Sequence, residues 1–308
     1  MGLEEMSAKK DLVEQWAEDA SIRGSNPKTI YSYGRSLKLF EEFLGHSITK
    51  ADKMDIRAYV DMCRKKRNTS RTIRSRLNAL SSFYEFLIFE GVRKENPVRE
   101  VRTRYLSQYK TDSECHTHKL ISVEEMALLI NSVIDIRDKT MFLIMAKTGV
   151  RRGELLSMEV QDISWKDQSI TLKAKKKRSN RVVFFDEETA YYLKRWLEIR
   201  ESRNPMNSAL WISSAGRRVD YGSLQYNIGK VALLCGLHDS TSDRMEDHFS
   251  AHCFRHFFTT HLLRAGMPRD FVQELRGDKR REIIDVYNHI DKDDLRKSYL
   301  DHIPPLGV

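Results

Sequence analysis

Apolar residues recur at helical spacing through the first hundred positions of the chain. Leu12, Trp16 and Ala20 predict a first helix. Asn26-Pro27 interrupts it, and Lys28 to Leu44 forms a second helix with Ile30, Tyr33, Leu37, Phe40 and Leu44 on one stripe. Pro27 suits a helix N-terminus and Gly45 a C-terminal stop. Ser47 to Ala51 reads as extended, and Asp52 to Lys65 as a third helix. A fourth starts near Ser70, carries Ile73, Leu77, Leu80, Tyr84 and Leu87, and ends at Gly91. Beyond residue 100 the apolar period is lost among Thr103, Ser107, Thr111, Ser113 and Thr117, which predicts a linker over 101–119.

The pattern resumes at residue 120 and changes character. Ser122, with Glu125 three residues on, has the form of a capping box ahead of Met126, Leu129, Ile130 and Val133. Lys139 to Ala146 reads as a buried helix. Ile163 to Trp165, Ser169 to Ala174 and Arg181 to Phe185 alternate or are β-branched, predicting a small antiparallel sheet. Helices follow over Glu187 to Arg200, Tyr221 to Cys235, His252 to Ala265, Arg269 to Leu275 and Asp291 to His302, with Trp211-Ile212 extended. The expected fold is mainly α with one small antiparallel sheet, in two domains: a helical domain over 1–100, the linker over 101–119 and a second domain over 120–308.

Composition narrows this frame. At 308 residues there is room for two cores. No run approaches the roughly 18 apolar residues of a membrane span, and the first residues lack signal-peptide character, so a cytoplasmic protein is expected. Cys63, Cys115, Cys235 and Cys253 form no CxxC pair, which argues against a zinc site and fits a reducing compartment. His116 and His118 lie in the linker without further ligands. No metal or cofactor is expected.

The net charge of +9 is concentrated. Arg64, Lys65, Lys66, Arg67, Arg71, Arg74 and Arg76 form a run with no acid, and a second acid-free run extends from Lys173 to Arg181. Two separated basic clusters suit two contacts with a polyanion, DNA above all; a merely solvated face is the less favoured alternative for each.

Three spaced motifs carry the chemistry. Thr148-Gly149-Val150-Arg151 with Glu154-Leu155 is the first; His252-Cys253-Phe254-Arg255 is the second; Val272 to Gly277, followed by Val286-Tyr287-Asn288-His289, is the third. Guanidiniums bind phosphate oxygens in bidentate fashion. A tyrosine hydroxyl can attack phosphorus and keep the bond as an ester, and a lysine or histidine can protonate the departing oxygen.

In order and spacing, these motifs over Leu143 to Ile290 resemble the catalytic domain of the tyrosine recombinases, the Xer, Cre and phage-integrase family. The four N-terminal helices resemble that family's core-binding domain, and the linker would let the two domains close on a duplex as a C-shaped clamp. The resemblance implies a site-specific DNA recombinase working without metal or ATP, through a 3′-phosphotyrosyl intermediate and a Holliday junction. It makes Arg151 and Arg255 the phosphate clamps, with Arg152 a variable neighbour. His252 would assist proton transfer with the tyrosine or hold a phosphate oxygen, Glu154 would support the basic groups and Tyr287 would be the nucleophile, ahead of Tyr299. Counting back from Phe184-Phe185 against the family pattern lands on Lys176 as general acid, with Lys175 and Lys177 one residue away as alternatives; nearby arginines would lower its pKa. His256 and His261 read as structural, and Cys253 as a small packing residue. Asp278 departs from the family, which carries His or Trp there. An ionised carboxylate only accepts hydrogen bonds, so three accounts are open: Asp278 is protonated, it orients an arginine such as Arg276 or Arg280, or Lys279 takes over as donor. The orienting role is favoured. The expected partners are double-stranded DNA with a specific site and further copies of the chain, dimer to tetramer, with Leu295, Tyr299 and Leu300 of the tail docking on a neighbour or packing at home. Alternatives are a type IB topoisomerase and a non-catalytic DNA-binding protein on the same scaffold.

Overall fold

The computed structural model describes residues 11–106, 120–173, 181–242, 244–278 and 290–308. The chain divides into two compact units, Met1–Glu114 and Cys115–Val308.

In the first unit, helices α1 (Leu12–Ile22), α2 (Pro27–Leu44), α3 (Lys53–Lys65) and α4 (Ser70–Phe89) follow the apolar stripes. Trp16, Leu37, Phe40, Tyr59, Leu77, Leu80, Phe83 and Leu87 close one core. The stops are those expected: Asn26 Oδ1 caps α2 at Lys28 N, and Gly45 ends it at φ +67°. Two segments differ from expectation. Ile48–Lys50 is a 3-10 turn, because Ser47 caps the Thr49 amide and Ile48 is buried. The stretch assigned to linker from residue 101 begins as a helix, α5 (Val98–Leu106). Its start is capped by Asn96 Oδ1 at Val98 N (3.0 Å), while Asn96 Nδ2 ties back to α4. Its last carbonyls, which no helical amide can reach, accept from Arg64 (Tyr105 O, 2.9 Å) and Arg74 (Leu106 O, 3.1 Å). Val98, Val101 and Leu106 join the core, and three apolar positions are too few to read as a period.

The second unit is built around α7 (Ile136–Thr148), whose residues from Thr140 to Thr148 are all buried. It is preceded by α6 (Val123–Asn131), which starts at the expected capping box of Ser122 and Glu125. α8 (Arg152–Ser157) leads to the sheet β1 (Ile163–Ser164), β2 (Ser169–Leu172) and β3 (Arg181–Phe184), antiparallel in that order. Ile170 pairs with Ile163 and Val183, and Leu172 with Arg181. α9 (Glu187–Ser202), α10 (Tyr221–Leu234), α11 (Ala251–Arg264), α12 (Arg269–Arg276) and α13 (Lys292–His302) complete it.

Leu295 and Tyr299 of α13 pack at home, against a cluster that includes Phe184, Phe258, Leu262 and Leu275; Leu300 stays partly exposed. The last residues are fastened as well. Lys147, fully buried, donates to Asp186 (2.5 Å), Glu188 (2.6 Å) and the Pro304 carbonyl (2.8 Å). Glu188 in turn accepts from the Leu306 and Gly307 amides.

Candidate active site

Four elements, α7, α11, α12 and β3, meet at the site. α7 ends at Gly149 in the left-handed region (φ +59°), where a Cβ would lie 2.4 Å from the Phe258 ring. That turn frees the Gly149 carbonyl and brings Arg151 to the start of α8. α12 ends the same way at Gly277 (φ +59°), where a Cβ would lie 2.7 Å from Arg181 Cδ. α11, capped by Ser250, carries His252 and Arg255. β3 opens with Arg181.

The C-terminal carbonyls of α12 are the common anchor. They form the negative end of the helix dipole and lack helical donors, so guanidiniums are favoured there. The Arg276 carbonyl accepts from Arg255 Nη2 (2.9 Å) and Arg151 Nη1 (3.3 Å). The Leu275 carbonyl accepts from Arg181 Nη1. Arg255 is buried and also donates to Gly149 O (2.6 Å). Burial, with Arg151 and Arg276 nearby, pushes its pKa down to about 10, so it stays charged at neutral pH.

Glu154 organises Arg151 twice. Its Oε2 accepts from the Arg151 backbone amide (2.7 Å) and its Oε1 from Arg151 Nη1 (3.1 Å). Oε2 also accepts from Arg181 Nη2 (2.6 Å). Burial alone would raise the carboxyl's pKa, but Arg181 and the Arg151 amide and guanidinium outweigh it and hold it below the ordinary range.

The guanidiniums of Arg151 and Arg255 converge on one anion. Asp278 Oδ1 lies 3.2 Å from Arg151 Nη2 and 3.0 Å from Arg255 Nη2. Its Oδ2 lies 3.0 Å from Arg276 Nε, an ion pair whose N–H is not aimed along a hydrogen bond. Asp278 thus faces three arginines, Arg151, Arg255 and Arg276, of which the sequence suggested only the last.

Other residues sort themselves by place. Arg152 turns away to α10, over the Tyr221 ring and onto Gln225 Oε1 (2.5 Å). His252 is exposed one turn before Arg255, with its ring edge-on to His256 at 4.6 Å. His256 is an exposed neighbour that packs its ring against His252. His261 does anchor structure, through the Ile121 carbonyl (2.9 Å). Cys253 is buried, as a packing residue should be. Lys175, Lys176, Lys177, Lys279, Arg280 and Tyr287 lie outside the described residues, as do Cys115, His116 and His118.

In the first unit, Lys65, Lys66, Arg67 and Arg71 are exposed, although Lys65 pairs with Asp61 at 2.8 Å. Arg64 and Arg74 hold the end of α5, and Arg76 is half-buried against Cys63 Sγ (3.3 Å). Sequence reasoning missed Arg181 as part of the site. It sits in a lysine-rich run, where a cation reads as solvent- or phosphate-facing; the apolar β-strand that follows it was the available signal.

A profile of the phage integrase family matches residues 119–294, and one of the phage integrase N-terminal SAM-like domain matches 13–91. The chain belongs to the phage integrase family. It is a site-specific tyrosine recombinase, an enzyme of DNA strand exchange. Tyrosine recombinase XerC of Histophilus somni (strain 2336) is 26% identical over 285 residues, covering 90% of this chain and 91% of that protein. The fold is shared with a lambda integrase (75–356) dimer bound to a COC′ core site (TM-score 0.70, 17% identity, 88% of this chain and 98% of that one). It is also shared with the XerH site-specific recombinase bound to difH substrate in a pre-cleavage complex (TM-score 0.66, 18% identity, 93% and 82%). Among the described residues no helix is long and apolar enough to cross a membrane, and no cluster of His, Cys, Asp and Glu could hold a metal.

Proposed function

We propose that this recombinase cleaves each strand by attack of the Tyr287 hydroxyl on the scissile phosphorus. The tyrosyl oxygen–phosphorus bond forms, the bond to the 5′ oxygen breaks, and a 3′-phosphotyrosyl ester remains beside a free 5′ hydroxyl. Arg151 and Arg255 bind the non-bridging oxygens and stabilise the five-coordinate transition state. Lys176 protonates the leaving 5′ oxygen, His252 assists proton transfer at the tyrosine, Glu154 supports Arg151, and Asp278 orients the arginines. A second 5′ hydroxyl reverses the step without ATP, since the ester conserves the bond. Two pairs of protomers act through a Holliday junction, in the cytoplasm. Residues up to the end of α5 bind the core site, with Arg64, Lys65, Lys66, Arg67, Arg71, Arg74 and Arg76 as their basic contact; 107–119 link the domains; Lys175 and Lys177 flank the acid in the catalytic domain, 120–308.

The observation that supports this reading most is the convergence of Arg151 and Arg255 on a single anion position within 3.2 Å of both. The test is a nicked suicide duplex carrying a candidate site from beside the gene, run on denaturing gels with wild type and Tyr287→Phe. An adduct with wild type alone is the expected result. An adduct that persists in the variant moves the nucleophile to another residue such as Tyr299. Tight binding with no adduct refutes strand cleavage by this chain alone, and relaxation of a plasmid lacking the site makes it topoisomerase-like.

A further inference from the structure

We infer that Arg181 is a positioning residue for strand cleavage, one that holds Arg151 in register through Glu154 and through the last turn of α12. The inference rests on the strand-transfer reading above. Arg181 does not touch the anion position shared by Arg151 and Arg255. It stands behind it, with 9% of its side chain exposed. One nitrogen, Nη2, donates to Glu154 Oε2, and the other, Nη1, to the Leu275 carbonyl. Both acceptors belong to the groups that orient the clamp. Glu154 holds the amide and guanidinium of Arg151. Leu275 precedes Arg276, whose carbonyl receives both Arg151 and Arg255.

A buried guanidinium is an expensive way to fill space, and burial lowers its pKa. An apolar side chain of similar volume would fill the same space at less cost. What the guanidinium adds is a rigid fork reaching two acceptors at a fixed separation, which a lysine's single nitrogen cannot reproduce. The backbone makes room for it. Gly277 has no Cβ where Arg181 Cδ passes, and its positive φ turns the chain away after Arg276.

The test compares wild type, Arg181→Met and Arg181→Lys on two nicked suicide duplexes. One has the ordinary 5′ oxygen at the scissile position; the other has sulfur there, which departs as a thiolate and needs no general acid. Misplacing a transition-state clamp by an ångström costs about 100-fold in rate. Arg181→Met is expected to lose about that factor on both duplexes, with DNA affinity unchanged, and Arg181→Lys to recover part of it. A loss confined to the oxygen substrate would overturn the inference by assigning Arg181 to the acid lysine. A lowered melting temperature with an unchanged cleavage rate would reduce Arg181 to packing. Arginine side-chain NMR of the DNA-free proteins gives a readout independent of cleavage. The Arg151 guanidinium signals should be resolved in wild type and averaged in the variants, and signals that persist in both variants overturn the inference. If wild type forms no adduct, the strand-transfer reading fails, while these spectra still decide whether Arg181 holds Arg151. The lysine variant carries the comparison if the methionine variant does not fold.

Discussion

Asp278 places one carboxylate oxygen 3.0 Å from the buried guanidinium of Arg255. The same oxygen is 3.2 Å from Arg151, so the two cations proposed to hold a phosphate already share an anion of the chain's own. The carboxylate offsets like-charge repulsion between them, and on the proposed mechanism it competes with the phosphate when DNA arrives. Asp278→Asn should therefore do two opposite things. It should destabilise the protein by about 1–2 kcal/mol, less than a fully buried pair because Asp278 is one-third exposed. It should also tighten binding of uncleaved DNA when introduced beside Tyr287→Phe. Urea denaturation and fluorescence anisotropy measure the two effects; weaker DNA binding would show that the carboxylate helps to seat the phosphate.

Glu154 gives a pH signature. Its folded-state pKa lies below the ordinary value of 4.5, held there against burial by Arg181 and Arg151. A depressed carboxyl contributes stability that is fully present above its unfolded value and is lost as pH falls through the folded one. Glu154→Gln should cost about 3 kcal/mol at neutral pH, where Arg181 loses its anionic partner. The gap between variant and wild type should then close below pH 4.5. Thermal melting at several pH values tests this, and a gap constant across that range would remove Glu154 from the linkage.

Lys147 is the ion on which the tail depends. It is wholly buried between Asp186 and Glu188, and it holds the Pro304 carbonyl. Lys147→Met keeps the volume but strands two carboxylates, which costs about 3–5 kcal/mol. Limited carboxypeptidase digestion should trim residues 303–308 faster in this variant than in wild type. Equal digestion would mean that α13 alone retains the tail.

Much of this architecture was legible in the sequence because periodicity and capping are local. The stripe from Ile73 to Leu87, the capping box at Ser122 and Glu125, and the β-branched runs that became β2 and β3 all lie within a few residues of their causes. Arg151, Glu154 and Arg255 were legible through spaced motifs, and the geometry brings them together. What was not legible depends on contacts across the fold. α5 is held by Arg64 and Arg74 from other helices. Arg181 meets Glu154 and Leu275 only after the sheet docks beside α12. Asp278 offers nothing locally to distinguish a repelled phosphate neighbour from the centre of an arginine cluster.

The capping of α5 changes how the basic run of the first unit should be counted. A cation that gives up a condensed counterion to a phosphate steepens the fall of affinity with salt by about 0.9 on logarithmic axes. Lys66, Arg67 and Arg71 are exposed and suited to that exchange. Arg64 and Arg74 spend hydrogen bonds on carbonyls, and Arg76 is half-buried against Cys63. Alanine at Lys66, Arg67 or Arg71 should flatten the salt dependence of DNA binding by about that amount each. Alanine at Arg64 or Arg74 should flatten the slope likewise, since a carbonyl does not neutralise an exposed guanidinium, and should also weaken binding at every salt concentration, since the end of a helix is lost with it. Part of this basic run thus has two duties, because Arg64 and Arg74 also hold the scaffold that presents the rest.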